Sequence, residues 1–429
     1  MSEGELERPT LFVNASQVVT CAGPARARRG SEMSDAGVRT GVGVVVAGGR
    51  IVGVDSVASL RQNYRNAHEI DCRRGVLTPG LVYSHTHGIF GRPRFDEQEM
   101  RAAGLDYMEI ARRGGGIHSS VRDLRAQSEE SLLDLARARL RRLSSFGTTT
   151  VELKSGYGLT LEDELKTLRV IAQLSRELPL RIVATFLGAH EIPLEHRGSA
   201  AARQTYVDSL INEMIPAVSA QQLARFADVF CETGVYTVDE SRAILTAARN
   251  AGLLLKLHAD ELTSSGGAEL AASLGATSAD HLAAISDGGI AALAHASTVA
   301  TLLPGTMLFL GKTKHAPARR LIEAGIAVAL ATDFNPGTSP TPNLPLVLTL
   351  GVSQLRLSVA EAVVAATVNG ASALALADHV GQIAPGFSAD LALFDIGDVR
   401  ELPYWYGDNR CVASYVRGKP CYTSDLAVT

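Results

Sequence analysis

Two histidines stand two positions apart at the end of an apolar run, in LVYSHTHGIF at residues 81–90. Side chains at positions i and i+2 of a β-strand point to the same side, so His85 and His87 can bind one ion together if this run is a strand. A lone HxH pair occurs in many sequences by chance. A metal site therefore requires further ligands from other parts of the chain.

Candidates for such ligands stand at or just after the ends of other apolar runs: Tyr157, His190, His258, His281 and Asp333. If these runs are the strands of a (β/α)8 barrel, their carboxyl ends open onto one face, which is the face that holds active sites. Imidazole nitrogen and carboxylate oxygen suit Zn²⁺ or Fe, whereas Mg²⁺ and Ca²⁺ prefer oxygen ligands alone. We therefore predict one metal site, formed from the HxH pair, His258, His281 and Asp333.

The elements that would position these residues begin near residue 77, where apolar strands alternate with amphipathic helical patterns. Capping boxes, Thr237 with Glu240 and Ser358 with Glu361, mark the starts of two helices. The alternation indicates an α/β fold, a parallel (β/α)8 TIM-type barrel, more strongly than an open sheet. Eight strands are predicted: LVYSHTH, TTTVELKSGYG, RIVATFLGAHE, FADVFCETG, LLLKLHADE, ATSADHL, STVATLLP and IAVALATDF.

Both ends of the chain have a different pattern, with short β-branched segments separated by Gly and Asn. We predict that they pair into one small β-sandwich domain beside the barrel. The predicted divisions are residues 1–76 and 378–429 for the two parts of the β-domain and 77–377 for the barrel. The insert GPARARRGSEMSDAG at residues 23–37 is rich in Gly, Ser and charge, so we expect it to form an exposed loop.

The composition describes a globular protein with a substantial core. Of the 429 residues, 46% are hydrophobic and 20% are charged, and the formal net charge of -4 does not favour binding to nucleic acid or an anionic membrane. The most basic stretch lies within a helical pattern, and we expect it to form a solvated helix face: Arg137, Arg139, Arg141 and Arg142.

Cysteine usage and the N-terminus indicate the cellular compartment. The five cysteines include no CxxC pair, which argues against a disulfide scaffold and fits a reducing environment. The opening MSEGELERPT has no signal-peptide core, and no apolar run reaches the roughly 20 residues of a membrane span. We expect a soluble, cytoplasmic protein without a membrane partner.

The order of these site residues along the chain resembles the amidohydrolase superfamily, as does the tail GQIAPGFSADLALFD. A narrower similarity, to the imidazolonepropionase family, runs most densely over residues 75–405. Departures from that family occur at Gly88, at Arg92-Pro93, at His118 and in the loop GKTKHAPARR. The similarity is carried by HTHGIFGRPRFDEQEMR, YMEIARRGGGI, VELKSGYGL, TFLGAHEIP, FCETGVYT, HADEL, SADHL, LLPGT and ATDFNPGTSPT.

This resemblance implies an enzyme that hydrolyses a C–N bond of a cyclic amide. The implied reaction converts 4-imidazolone-5-propanoate to N-formimidoyl-L-glutamate, the third step of histidine degradation. It requires an activated water, and a bound cation lowers the pKa of water towards about 7. The resemblance implies one Zn or Fe ion per chain, with the ligands His85, His87, His258 and Asp333. We expect Lys154 to be a structural amine, so that the site holds a single metal ion.

Three catalytic roles follow from the same resemblance. Asp333 would accept a proton from the water, and His281 would polarise the carbonyl or serve as a fifth ligand. Glu261 would hydrogen-bond the ring nitrogen and carry protons, or else orient His258.

The substrate carboxylate and ring need residues that hold them. Arg94 matches the family's carboxylate-binding arginine, and its spacing from the HxH pair favours it over Arg92. Further substrate contacts are expected from Tyr157, His190, Glu261, Asn335, Gly337 and Thr338. The family also implies a homodimer.

Two alternatives have sequence features that would distinguish them. An aminohydrolase of purine or pyrimidine rings would share the metal residues but lack the carboxylate contacts of Arg94 and Tyr157. A non-catalytic scaffold of the same fold would tend to lose metal ligands, whereas every expected ligand is present here.

Overall fold

The barrel predicted from the sequence is present with all eight strands in the expected order. The computed structural model describes residues 8–105, 109–110 and 113–424, so parts of the motif YMEIARRGGGI and of both predicted terminal segments lie outside the described residues. The barrel strands are β8 (Leu81–Tyr83), β9 (Thr148–Lys154), β10 (Arg181–Ala189), β11 (Phe226–Cys231), β12 (Leu254–Ala259), β13 (Ser278–His281), β14 (Val299–Leu302) and β15 (Val328–Leu330).

Consecutive barrel strands pair in parallel, from β8 through to β15. The two outermost strands meet just beyond their carboxyl ends, where Thr86 and Phe334 form a parallel bridge. There the His87 N–H donates to the carbonyl oxygen of Phe334 at 2.8 Å. The barrel is therefore closed at the level of its active-site face.

A β-sandwich built from both chain ends lies beside the barrel, as predicted. The sandwich strands are β1 (Thr10–Val13), β2 (Gln17–Val19), β3 (Val38–Arg39), β4 (Val42–Ala47), β5 (Arg50–Ser56), β6 (His68–Asp71), β7 (Val76–Pro79), β16 (Leu391–Phe394), β17 (Cys411–Val416) and β18 (Lys419–Thr423). One sheet has the order β5-β4-β1-β6, and the other has the order β18-β17-β16-β7-β2-β3, which joins N-terminal and C-terminal strands. The predicted domain boundaries stay predictions.

Amphipathic helices cover the barrel, and both predicted capping boxes are formed. None of the described helices has the length and hydrophobicity needed to span a bilayer. The described α-helices are Val57–Asn63, Phe95–Ala102, Ile117–Ala126, Glu129–Ser144, Leu161–Glu177, Ala200–Ser209, Ile215–Ala220, Val238–Asn250, Gly267–Leu274, Asp287–Ala294, Pro304–Phe309, Ala318–Glu323, Leu344–Ser353, Val359–Ala365 and Val368–Ser372.

Two of the four arginines expected on a solvated helix face, Arg137 and Arg139, are only partly exposed. Arg139, on helix Glu129–Ser144, is half-buried, and its guanidinium donates to backbone carbonyls of the loop that follows the HxH pair. The helical pattern identified the helix correctly, but it carries no information about which loop crosses that helix.

The expectation of an exposed loop at residues 23–37 was wrong for its central part. A short 3-10 helix, Gly30–Ser34, places Met33 completely out of solvent beside helices Ala318–Glu323 and Val359–Ala365. The Arg28 N–H also donates to Asn369 Oδ1 at 2.7 Å, and Asn369 Nδ2 donates back to the Arg28 carbonyl at 3.0 Å. Because one apolar side chain and one amide anchor it, this polar stretch packs against the barrel.

Replacing Met33 with Ala tests this anchor. We expect a loss of about 3 kcal/mol in the free energy of unfolding, because the substitution leaves a cavity in a fully buried site. Urea unfolding at fixed metal loading measures it. Val38→Ala, at a 46% exposed position of the neighbouring strand, is the matched control. Equal stability of the two variants would show that the insert is not anchored.

Candidate metal centre and active site

The four predicted metal ligands converge on one point at the open end of the barrel. His85 and His87 follow β8, His258 lies in β12, and Asp333 follows β15. Asp333 Oδ1 lies 3.5 Å from the Nε2 atoms of both His85 and His87, and the Nε2 atoms of His87 and His258 are 3.3 Å apart. Ligands bound tetrahedrally at about 2.1 Å are separated by about 3.4 Å. The donor atoms of His85, His87 and Asp333 are therefore close enough to share a cation, and His258 adjoins this group through His87.

Two buried aspartates set the orientation and the tautomer of two of these histidines. His85 Nδ1 lies 2.6 Å from Asp280 Oδ2, and His258 Nδ1 lies 3.1 Å from Asp228 Oδ1. A carboxylate holds the proton on Nδ1, which leaves the Nε2 lone pair free for a metal ion. The structure thus gives Asp228, and not Glu261, the role of orienting His258.

Sequence reasoning missed both aspartates. Asp228 and Asp280 lie inside the buried strands FADVFC and SADH and are at most 2% exposed. A charged residue within an apolar strand must be paired. That mismatch is the signal that could have identified them.

Beneath the metal-binding histidines lies a layer of buried charges. Lys154 Nζ is 2.9 Å from Glu152 Oε1 and 2.7 Å from Asp228 Oδ2. Lys256 Nζ donates to the Ser84 carbonyl at 2.8 Å and lies 3.6 Å from Asp280 Oδ2. Although burial opposes the charge, the nearby carboxylates raise the pKa of Lys154. Lys154 is thus held as a paired ammonium, in line with the structural amine expected from the sequence.

The turn after β15 presents Asp333 to the histidines. Asp333 has a left-handed backbone conformation, with φ of 57°. The Thr306 hydroxyl donates to Asp333 Oδ2 at 2.7 Å, which leaves Oδ1 facing the imidazoles. Burial raises the pKa of the Asp333 carboxyl to about 6. This carboxylate is therefore held in position and is more basic than an exposed one.

His281 and Glu261 form a second pair on the same face. His281 Nε2 lies 3.5 Å from Glu261 Oε2, and the His281 ring is centred 5.2 Å from that of His258. Burial raises the pKa of Glu261 well above its ordinary value, and the negative charge of Asp333 adds to this shift. His281 can also reach a cation together with His85 and His258, so both of its predicted roles remain compatible with the geometry.

A cavity of about 260 Å³ opens over these groups. Its wall includes most of the predicted substrate contacts, and it also contains residues that the sequence had not singled out: Ile117, Phe230, Leu262, Leu310 and Lys312. The wall is mainly apolar with a few polar groups, the usual arrangement of a site for a small molecule.

The Arg94 guanidinium lines this cavity and lies close against the backbone of Gly337. Its Nε lies 3.4 Å from Glu97 Oε1, while Nη1 is buried and has no hydrogen-bond partner among the described residues. A Cβ at Gly337 would lie 1.6 Å from Arg94 Nη2, so any larger residue there would displace the guanidinium. Gly337 thus supports Arg94 and does not itself line the cavity. The side chain of Arg92 is 73% exposed and lies 3.9 Å from Asp96.

His190 is restricted to accepting hydrogen bonds from a ligand. Its Nδ1–H donates to the Gly156 carbonyl at 2.9 Å, and burial lowers the pKa of the ring to about 3. At neutral pH its Nε2 is therefore an acceptor. The His190 ring stacks on His87 with centres 4.8 Å apart, and Tyr157 packs against it at 5.2 Å.

Asn335 and Thr338 line the cavity but also shape the turn that carries Asp333. Asn335 Oδ1 accepts the backbone N–H groups of Gly337 at 2.9 Å and Thr338 at 2.7 Å, and Nδ2 donates to the Asp333 carbonyl at 2.7 Å. Because these bonds occupy its amide, the first function of Asn335 is to hold the turn. Its predicted contact with substrate stays a prediction.

Comparison with known proteins places the chain in a family. Residues 96–422 match the amidohydrolase family. The chain is 47% identical to the imidazolonepropionase of Symbiobacterium thermophilum, over 92% of this chain and 93% of that protein. It is 45% identical to that of Geobacillus kaustophilus, over 96% and 97% of the two chains. The chain belongs to the imidazolonepropionase family of amidohydrolases.

More distant solved structures share the fold of this imidazolonepropionase-family chain. Guanine deaminase of E. coli aligns with a TM-score of 0.72 at 14% identity, covering 97% of this chain and 99% of that one. A zinc-bound adenosine deaminase from Xanthomonas campestris aligns with a TM-score of 0.71 at 19% identity, over 98% and 95%. The barrel and sandwich are thus an architecture common to these hydrolases.

Replacing Asp228 with Asn tests the orientation of His258. We expect the affinity for Zn²⁺ to fall about 10- to 100-fold, because the carboxylate no longer fixes the Nδ1–H tautomer. Competition with a chromophoric chelator measures the dissociation constant. Asp239→Asn, at an exposed position of helix Val238–Asn250, is the control. An affinity within twofold of the unmodified protein would remove Asp228 from the metal centre.

Proposed function

We propose that this protein hydrolyses the cyclic amide of 4-imidazolone-5-propanoate to N-formimidoyl-L-glutamate, the third step of histidine degradation. One observation carries the proposal: His87, His258 and Asp333 line one small cavity together with Arg94, whose buried Nη1 has no hydrogen-bond partner among the described residues. An ion held by these ligands would activate water for attack on the ring carbonyl, and the guanidinium suits the propanoate. The curated relatives support this substrate, since they carry the name of the enzyme that acts on it.

We further propose one Zn or Fe ion per chain, held by His85, His87, His258 and Asp333. When bound there, the ion would lower the pKa of water and polarise the ring carbonyl. Support comes from the donor set: the buried Nε2 of His85 has no hydrogen-bond partner within the described part of the chain, and its Nδ1 is already engaged.

The carboxyl groups of this site divide the proton transfers between them. Asp333 accepts the proton of the attacking water, because its carboxylate lies beside the histidines that would hold the ion and the water. His281 stabilises the negative charge that develops on the carbonyl oxygen. Glu261 keeps its proton longer than an exposed carboxyl and so can donate it to the ring nitrogen as the C–N bond breaks. Because the ring opens, the former carbonyl carbon stays in the same molecule and becomes its new carboxylate. The proton taken up by Asp333 replaces the one that Glu261 gave.

The remaining side chains position the substrate relative to these catalytic groups. Arg94 binds the propanoate, and His190 Nε2 accepts a ring N–H. Tyr157 and Thr338 close the cavity around the ring, and Asn335 secures the turn beneath it. A homodimeric state, which the family resemblance supports, and a cytoplasmic location, which the cysteine usage supports, complete the proposal.

Metal analysis and turnover test the proposed function together. We expect about one metal ion per chain, and loss of the ultraviolet absorbance of freshly prepared 4-imidazolone-5-propanoate on addition of the protein. Chelation should abolish turnover, and Zn²⁺ or Fe should restore it. Metal without turnover would overturn the substrate but retain a hydrolase site. Absence of both would favour a non-catalytic scaffold.

Replacing Arg94 with Ala tests the carboxylate contact. We expect KM for the propanoate substrate to rise about 30- to 100-fold with a smaller change in kcat, because a charge-assisted bidentate contact is lost. Steady-state kinetics measures both constants. Arg92→Ala removes an exposed guanidinium two residues away and serves as the control. A KM within threefold of the unmodified protein would show that the propanoate binds elsewhere.

A further inference from the structure

Arg139 reaches from the outer helix Glu129–Ser144 to the loop that follows the HxH pair. Its Nη1 lies 3.3 Å from the Gly88 carbonyl oxygen and also donates to that of Phe90, while Nη2 donates to that of Gly91 at 2.7 Å. The guanidinium carbon lies 3.4 Å from the centre of the Phe90 ring. Only arginine offers several coplanar donors together with a face that stacks on an aromatic ring. Its contacts fix the backbone of residues 88–91.

The same loop is also held by a carboxylate. Asp123 Oδ2 accepts the Arg92 N–H at 2.5 Å. A Cβ at Gly91 would lie 1.7 Å from that oxygen, so glycine is required for this approach. The loop is therefore held by Arg139 of helix Glu129–Ser144 and by Asp123 of helix Ile117–Ala126.

The loop of residues 88–91 is followed closely in the chain by Arg94. The Phe90 ring packs edge-on against Phe334 at 5.8 Å, and the Arg94 N–H donates to the Pro336 carbonyl at 2.8 Å. Residues 88–94 therefore lie along the turn that contains Gly337, on which the Arg94 guanidinium rests. His87, which precedes this loop, is held through its own N–H to the carbonyl oxygen of Phe334.

We propose that Arg139 is a positioning residue for carboxylate recognition. By fixing residues 88–91 it sets the place of the Arg94 guanidinium, although it touches no substrate itself. The inference rests on the proposed function only in taking Arg94 as the carboxylate-binding group. Since His87 has its own anchor, loss of Arg139 should weaken binding of the carboxylate and leave the metal site intact.

Calorimetry on the metal-loaded protein tests this inference with two probes, imidazole-4-propanoate and 4-propylimidazole. We expect Arg139→Met to raise the Kd of the carboxylate-bearing probe about tenfold, because small misplacement of a charged donor weakens its contact strongly. The Kd of 4-propylimidazole and the metal content should stay within twofold. In an Arg94→Ala background, Arg139→Met should change the Kd of imidazole-4-propanoate less than twofold.

Two further variants separate geometry from charge. Arg139→Lys keeps the charge but not the planar donors, so we expect it to bind imidazole-4-propanoate as weakly as Arg139→Met does. If Arg139→Met fails to fold, Arg139→Lys carries the test. Arg142→Met, on the same helix, is the control: its guanidinium carbon lies 4.9 Å from the centre of the Phe146 ring, away from the loop.

Three results would overturn the inference: equal weakening of both probes, an undiminished effect in the Arg94→Ala background, or unchanged binding in Arg139→Lys. The proposed function fails separately, since that failure is an absence of turnover by the unmodified protein. The comparison of the two probes still decides the role of Arg139 in that case.

Discussion

The metal centre depends on the seam that closes the barrel between β8 and β15. Both strands are short, and their junction lies beyond their ends, where the His87 N–H donates to the Phe334 carbonyl. This bond joins the second histidine of the HxH pair to the residue that follows Asp333. The contact that closes the barrel therefore also sets the 3.5 Å distances from Asp333 Oδ1 to the Nε2 atoms of His85 and His87. The left-handed turn at Asp333 then directs its carboxylate inwards.

The layer of buried charges beneath the histidines makes this arrangement rigid. Three carboxylates, Glu152, Asp228 and Asp280, face the two ammonium groups of Lys154 and Lys256. A buried ion without a partner is very costly, so each member fixes its neighbours. Asp228 and Asp280 also orient imidazoles, which couples the histidine tautomers to the lysines.

Local sequence patterns were sufficient for the elements and for most of the candidate site. Apolar runs identified eight strands, and a Ser or Thr with Glu three residues later marked two helix starts. His and Asp at strand ends indicated the active-site face, since barrel topology brings such ends together. Asp228 and Asp280 escaped notice, and Arg139 was wrongly expected to be solvated, because their partners are remote in sequence. Met33 escaped because one apolar residue in a polar stretch forms no periodic pattern.

By itself, the sequence determined the kind of fold, the type of donor groups and the family, since these depend on residue identity and short-range spacing. The tertiary structure alone decided which side chains contact one another. It paired His258 with Asp228 and His281 with Glu261, placed Arg94 against Gly337, and brought Arg139 under the loop that leads to Arg94. Each of these contacts joins separate elements, and its distance is set by strand register and helix packing, which local spacing does not encode.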